Sequence, residues 1–380
     1  MCNYGDGMKN PFTYSNFVTG PSFCNRIKEQ KELLEFITAS QNVLLYSHRR
    51  TGKSSLIKQV FQNIKEQKID MGTLYVDLYG TTSEREFITR VFQQLNVLES
   101  NTDKLLNLLK NSISKFSFQL SIDPTTSSPT IAPSFKAADE KLILKNLMEM
   151  LEKFSEKRKI VIAFDEFQEV AKYTNADSFE KQLRSYIQQH SNICYIFCGS
   201  QQHLLTAMFK SQKRAFYQQG ASFPLKEIKT KHYIPWMERM FKGGNFSMEN
   251  ENLKQIVDQF QNHPMYIQLF CFFLWRELGQ TSWNDATMSK VEHSMIEQKH
   301  LEYQILWDNL SINQKKTLKL VLLNDGKNLF SAEALMAVKI KTASIVTRCL
   351  KSLSTKEILT KNGKYIIQDI LLKKWLALNI

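Results

Sequence analysis

Two short stretches combine residue types whose spacing suits phosphate chemistry. The first, Asn42 to Ile57, reads NVLLYSHRRTGKSSLI. An apolar run, Val43 to Leu45, enters a turn made of Ser47, His48, Arg49, Arg50, Thr51 and Gly52, and Lys53, Ser54 and Ser55 open a helical pattern. A loop joining a strand to a helix can turn its backbone N–H groups inward, which a glycine such as Gly52 permits, and the helix N-terminus then faces the same anion. Lys53 would reach the β- and γ-phosphates of a nucleotide, and the Ser54 hydroxyl would ligate Mg²⁺. The stretch departs from G-x-x-x-x-G-K-[ST] at its first letter, where Ser47 stands. Alone, it also fits a chance GKS at the start of a basic helix.

The second stretch is KIVIAFDEFQEV, in which the apolar run Ile160 to Phe164 ends in Asp165 and Glu166. A carboxylate at the end of a buried strand is a hard oxygen donor for Mg²⁺ beside Ser54. A second carboxylate next to it can orient and deprotonate a water. Small-molecule kinases need no such base, whereas ATP hydrolases of the additional-strand class do, so the pair points to ATP hydrolysis. Ser200 or Gln201, at the tip of the next apolar strand (NICYIFCGS), is expected across from the γ-phosphate.

These groups need a sheet to hold them. Strand patterns at Val43–Leu45, Gly72–Gly80, Lys159–Phe164, Asn192–Ser200 and Phe223–Ile228 alternate with helical ones, which predicts a three-layer α/β domain with a mainly parallel sheet over residues 1–230. Phe116 to Phe135, with its DPTTSSPTIAPSF tract, reads as an inserted β-hairpin. From Lys231 the strand pattern stops, and an all-α lid domain is expected over 231–305, with a helical segment from Ser282 to Gln298. From 306 to 380, three helical patterns precede EILTKNGKYIIQD, whose Asn362-Gly363 is a strong hairpin signal. Helices followed by a hairpin predict a winged helix-turn-helix.

The chain has 380 residues, 43% of them hydrophobic, enough for a substantial core divided among domains. No apolar run reaches the roughly 18–20 residues of a membrane span. The start, MCNYGDGMKN, shows no secretory pattern. Six scattered cysteines form no C-x-x-C pair, and Cys194 and Cys198 read as small buried hydrophobes of one strand face. A cytoplasmic protein with reduced thiols and no membrane partner is expected. The formal charge is +13, and residues 306–380 hold thirteen Lys/Arg against five Asp/Glu. Lys341, Thr342, Ser344, Thr347, Arg348 and Lys351 would face a DNA groove, with Lys356, Lys361 and Lys364 on phosphates. The same face also suits a protein-contact or autoinhibitory module.

The combination SHRRTGKSS, AFDEFQEV, IFCGSQQHLLTAMF, KRAFYQQ and NHPMYIQ resembles the archaeal-type (prokaryotic) ATPase family, a branch of the AAA-like STAND P-loop NTPases with a C-terminal winged helix. The likeness covers nearly the whole chain. It implies an additional-strand (ASCE/AAA-like) P-loop core, ATP and Mg²⁺ as cofactors, Lys53 on phosphate, Ser54 and Asp165 on Mg²⁺, Glu166 as catalytic base and Ser200 as sensor. It also implies Asn25 and Arg26 near the adenine and His263-Pro264 approaching the nucleotide from the lid. The sequence departs from the family at Ser47, at His48 in place of proline, and at Gln219 where relatives carry arginine. Arg184, Arg214, Arg49 and Arg50 stay open as sources of an arginine finger. The resulting expectation is a slow, nucleotide-controlled ATPase switch that binds ATP and ADP. Duplex DNA, a protein client and self-association stay open as partners. The alternative is a DNA-binding regulator whose nucleotide site is structural or vestigial.

Overall fold

A continuous apolar run can be buried on both faces only inside a covered parallel sheet, and the central strands here are of that kind. The computed structural model describes residues 9–47, 49–98, 118–122, 129–133, 140–279 and 283–379. Strands β1 (Val43–Tyr46), β2 (Met71–Asp77), β5 (Lys159–Asp165), β6 (Ile193–Gly199) and β7 (Ala221–Pro224) form one sheet in the order β2-β5-β6-β1-β7. Every pairing in it is parallel. All seven residues of β6 are buried. It separates β1 from β5, the arrangement of the additional-strand class.

Each face of the sheet has its own apolar layer. On one face Leu74, Val76, Phe164 and Phe197 pack with residues of α3 (Glu84–Leu98), α4 (Glu140–Lys157), α5 (Ala176–Ile187) and α6 (Gln202–Lys210). On the other, Val43, Leu45, Val161 and Ile196 meet α1 (Ile27–Thr38) and α2 (Lys53–Glu66). Rings crossing the sheet, Phe164 with Tyr195 and Phe197, lie nearly parallel. The register sets Asp77 beside Asp165 and Tyr46 beside Gly199, so the carboxyl ends of four strands come level. The last strand is shorter than the sequence suggests. It ends at Pro224, because β1 offers no ladder beyond Tyr46 and proline donates no N–H.

Strands β3 (Phe118–Ile122) and β4 (Pro129–Pro133) pair antiparallel. The rest of the expected hairpin lies outside the described residues.

The described residues divide into two units, Thr13–Met237 with Asn262–Met265, and Met1–Phe12 with Glu238–Gln261 and Tyr266–Ile380. Helix α7 (Thr230–Lys242) and α8 (Asn250–Gln259) are followed by α9 (Pro264–Leu278) and α10 (Asp285–Asp308). Asn284 caps α10, which runs ten residues past the expected end at Gln298 because no glycine or proline intervenes. Next come α11 (Ile312–Leu323), started by a Ser311/Gln314 capping box, then α12 (Ala332–Ala337) and α13 (Ala343–Thr355). Strands β8 (Leu359–Asn362) and β9 (Lys364–Ile367) turn at Gly363 (φ +69°), and α14 (Ile370–Asn379) closes the chain. Gly326 (φ +74°) lies so close to the Tyr365 carbonyl that a Cβ there would clash, and its own carbonyl accepts the Tyr365 N–H at 3.1 Å. No helix among the described residues is long and apolar enough to cross a membrane.

Candidate functional site

The loop after β1 turns through two left-handed residues, Arg50 (φ +62°) and Gly52 (φ +94°). Ser47 is not left-handed, so its position does not demand a glycine. Its buried hydroxyl hydrogen-bonds the Thr51 hydroxyl across the loop, and its carbonyl accepts from the Lys53 ammonium at 3.3 Å. His48 lies outside the described residues. Lys53 is buried at the first position of α2, with Ser54 and Ser55 following it. Ser55 Oγ accepts the Val18 N–H at 3.1 Å.

Asp165 collects donors from four directions. Ser54 Oγ donates to its Oδ2 at 2.5 Å, and so does the Tyr75 hydroxyl from β2. The Cys198 thiol from β6 donates to Oδ1 at 3.2 Å, and the Glu166 N–H does so at 3.0 Å. Burial, reinforced by Asp165 itself, pushes both the Tyr75 phenol and the Cys198 thiol well above their ordinary pKa values. Both therefore stay protonated and donate. Lys58, one turn along α2 from Ser54, holds its ammonium 3.9 Å from the Tyr75 ring centre and 4.6 Å from that of Phe17. Burial lowers its pKa, against the pull of Asp165 and Asp77.

Glu166 is left-handed (φ +55°) and starts a tight helical turn, Phe167–Lys172. Its Oε2 accepts from the Ser200 N–H at 3.1 Å, from Ser200 Oγ at 2.8 Å and from the Gln168 amide. Gln201 stands just before α6. The serine expected across from a phosphate is thus joined to the acidic residue beside it.

Asn25 and Arg26 are both left-handed, and Arg26 is buried. The Arg26 guanidinium donates to the Thr51 carbonyl at 3.0 Å and the Lys226 carbonyl at 2.7 Å, so it braces the loop from behind. Burial lowers its pKa, opposed by Glu29. The Asn25 carbonyl accepts from Gln30 at 2.9 Å. His263 Nε2 lies 3.4 Å from the Arg49 carbonyl, and Pro264 begins α9. Arg214 is held by the buried Glu180 carboxylate, whose pKa burial raises. Sequence reasoning missed Tyr75, Cys198, Lys58 and the role of Gln168. For Tyr75 and Cys198 the signal, a polar-tipped residue near a strand end, becomes visible only once the strand order is known.

In the winged segment, Lys341, Thr342, Ser344, Thr347, Arg348 and Lys351 are exposed on or just before α13. Lys356 and Lys361 are exposed as well. Lys364 is half-exposed and forms an ion pair with Asp325, which also lies 3.7 Å from Lys373.

Two hard oxygens, from Ser54 and Asp165, meet beside a buried lysine at the carboxyl end of a parallel sheet. That donor set suits Mg²⁺, which takes few protein ligands and completes its shell with water and phosphate oxygens. The chain is similar in structure to the Walker-type ATPase paby2304 of Pyrococcus abyssi, with 17% identity, a TM-score of 0.64, and 94% of this chain and 96% of that one covered. It is also similar to the ORC2 protein of Aeropyrum pernix, solved as ADPNP-ADP complexes, at 13% identity and TM-score 0.56, covering 93% and 95%. The ORC1 protein of the same organism, solved in complex with DNA, aligns at 10% identity and TM-score 0.50, covering 94% and 93%. These identities concern the fold alone. No curated protein sequence matches the chain. Residues 301–378 match a probable winged helix domain. Residues 23–270, which include the loop, the acidic pair and Ser200, match the ATPase domain predominantly from Archaea, and the chain belongs to that family.

Proposed function

We propose that the protein binds ATP with Mg²⁺ at the β1 loop and hydrolyses it, and that the nucleotide state acts as a switch. In this reading Lys53 and the loop N–H groups hold the phosphates, while Ser54 and Asp165 hold the metal. When bound, Mg²⁺ would neutralise phosphate charge. Tyr75, Cys198 and the Glu166 N–H keep Asp165 in one orientation. Glu166 takes the proton of the attacking water, and Ser200 links that carboxylate to the tip of β6. His263, against the Arg49 carbonyl, would feel a change in the loop.

One observation carries the reading. Ser54 and Asp165, 111 residues apart in sequence, meet at 2.5 Å, with Glu166 next in the chain. Family membership supports it independently. The experiment measures Mg²⁺-dependent ATP binding and phosphate release on the full chain. Lys53→Ala is expected to abolish binding, whereas Glu166→Gln keeps binding and loses turnover by about 10³-fold. Absence of both binding and turnover in the unaltered protein would sink the reading.

A second reading, DNA contact through α13, is favoured by one feature. From Lys339 to Lys356 the chain carries five Lys/Arg and no Asp or Glu. Salt-dependent affinity for duplex DNA that falls in Arg348→Ala and Lys351→Ala, unchanged by Lys53→Ala, would support it.

A further inference from the structure

Gln168 is fully buried, yet the proposed mechanism gives it no task. It sits in the turn after β5, between Phe167 and Val170, which are both buried in the aromatic layer. Phe167 contacts Phe164, Phe197, Phe209 and Phe216, so the backbone that carries Gln168 is fixed. The two ends of its amide have different surroundings. The Nε2 end donates to Glu166 Oε2. The Oε1 end is buried without a hydrogen-bond partner and occupies the place where a side chain on residue 199 would begin, 1.8 Å from an ideal Cβ at Gly199. A buried carbonyl without a donor is unfavourable, so something must hold it there. Here the aromatic layer fixes one side and the bare Gly199 backbone gives it room on the other.

We infer that Gln168 is a positioning residue for Glu166, wedged against Gly199 so that its amide and the two Ser200 donors fix Oε2 and leave Oε1 as the oxygen that accepts the proton of water. No donor among the described residues reaches Oε1. Gly199 belongs to the device because any side chain there displaces the wedge. The inference rests on the hydrolytic reading above and adds two residues to it, one on the turn after β5 and one at the tip of β6.

The test measures kcat, KM for ATP and the affinity for a non-hydrolysable ATP analogue on the full-length protein. Gln168→Met keeps the volume and removes the donor, and Gly199→Ala moves the wedge without touching Gln168. Each is expected to lower kcat by about 10–100-fold with analogue affinity within about twofold. The double variant is expected to be no worse than the poorer single one, since both break one contact. A kcat loss with KM and analogue affinity held is a split that a merely structural glutamine would not give. Wild-type kcat in Gln168→Met overturns the inference while leaving the ATPase reading intact. A kcat loss matched by a loss of analogue binding and of folded protein by circular dichroism also overturns it. An unaltered protein with no turnover sensitive to Lys53→Ala sinks both.

Discussion

The two ends of the five-stranded sheet use similar residues for different purposes. At the amino end, Cys194 donates to the Gln41 carbonyl at 3.1 Å, Tyr195 shares a hydrogen bond with His190 at 2.6 Å, and Asn42 accepts the Tyr195 N–H at 2.9 Å. At the carboxyl end, Cys198 and Tyr75 both donate to the Asp165 carboxylate. The amino end is a neutral network that ties helix ends to the sheet. The carboxyl end turns the same thiol and phenol groups on one acidic side chain. A buried polar group therefore takes its role from the charge of its acceptor, and substitutions at the two ends should separate stability from turnover.

The largest separation is expected from Asp165→Asn. It should lower turnover by about 10³-fold while the protein stays folded, because an amide oxygen in place of Oδ1 can still accept from Cys198 and the Glu166 N–H, and the Ser54 and Tyr75 hydroxyls can rotate to accept from the amide nitrogen. A fall in the denaturant midpoint as large as the fall in rate would break the distinction. The next effect belongs to the amino end. Burial depresses the His190 pKa from 6.5 to about 4, so the unfolded chain binds more protons than the folded one between those values. Stability should therefore fall as pH drops through that window, by about 2 kcal/mol between pH 7.5 and 5. His190→Gln should flatten that slope in urea unfolding without changing kcat.

Tyr75→Phe should lower kcat by about tenfold, whereas Tyr195→Phe should leave kcat unaltered and reduce stability by about 1 kcal/mol. The smallest pair is Cys198→Ser against Cys194→Ser, where only the first is expected to change turnover, by a few-fold. Equal kcat values in the two cysteine variants would show that Cys198 serves packing alone.

Legibility in the sequence followed the same division. Lys53, Ser54, Asp165 and Glu166 could be found because a phosphate loop and a strand-end carboxylate impose fixed local spacings. Tyr75 and Cys198 could not, since their importance depends on which strands flank β5, and strand order is a long-range property. Cys198 read as a small hydrophobe because alternation reports which face a residue occupies and says nothing of what lies across from it. Gln168 is a related case, since the quantity that matters is the gap above Gly199. The overrun of α10 past Gln298 and the early stop of β7 at Pro224 show the usual limit on boundaries, where tertiary partners overrule local pattern.

The brace behind the loop also bears on the order in which the protein is made. Pro21, Cys24 and Arg26 are made well before the residues that hold them. Arg26 finds its acceptor at Lys226, Cys24 at His232, and Pro21 its donor at Trp236, all 200 or more residues later. At about 5–20 residues per second, that interval is roughly 10–40 s of translation during which these three residues lack those partners. Ribosome-bound chains halted before Lys226 should be cut readily near Phe23 by chymotrypsin, and chains extended through the end of α7 should resist. The Pro21–Arg26 segment would thus lock only after residues made about 200 positions later are in place.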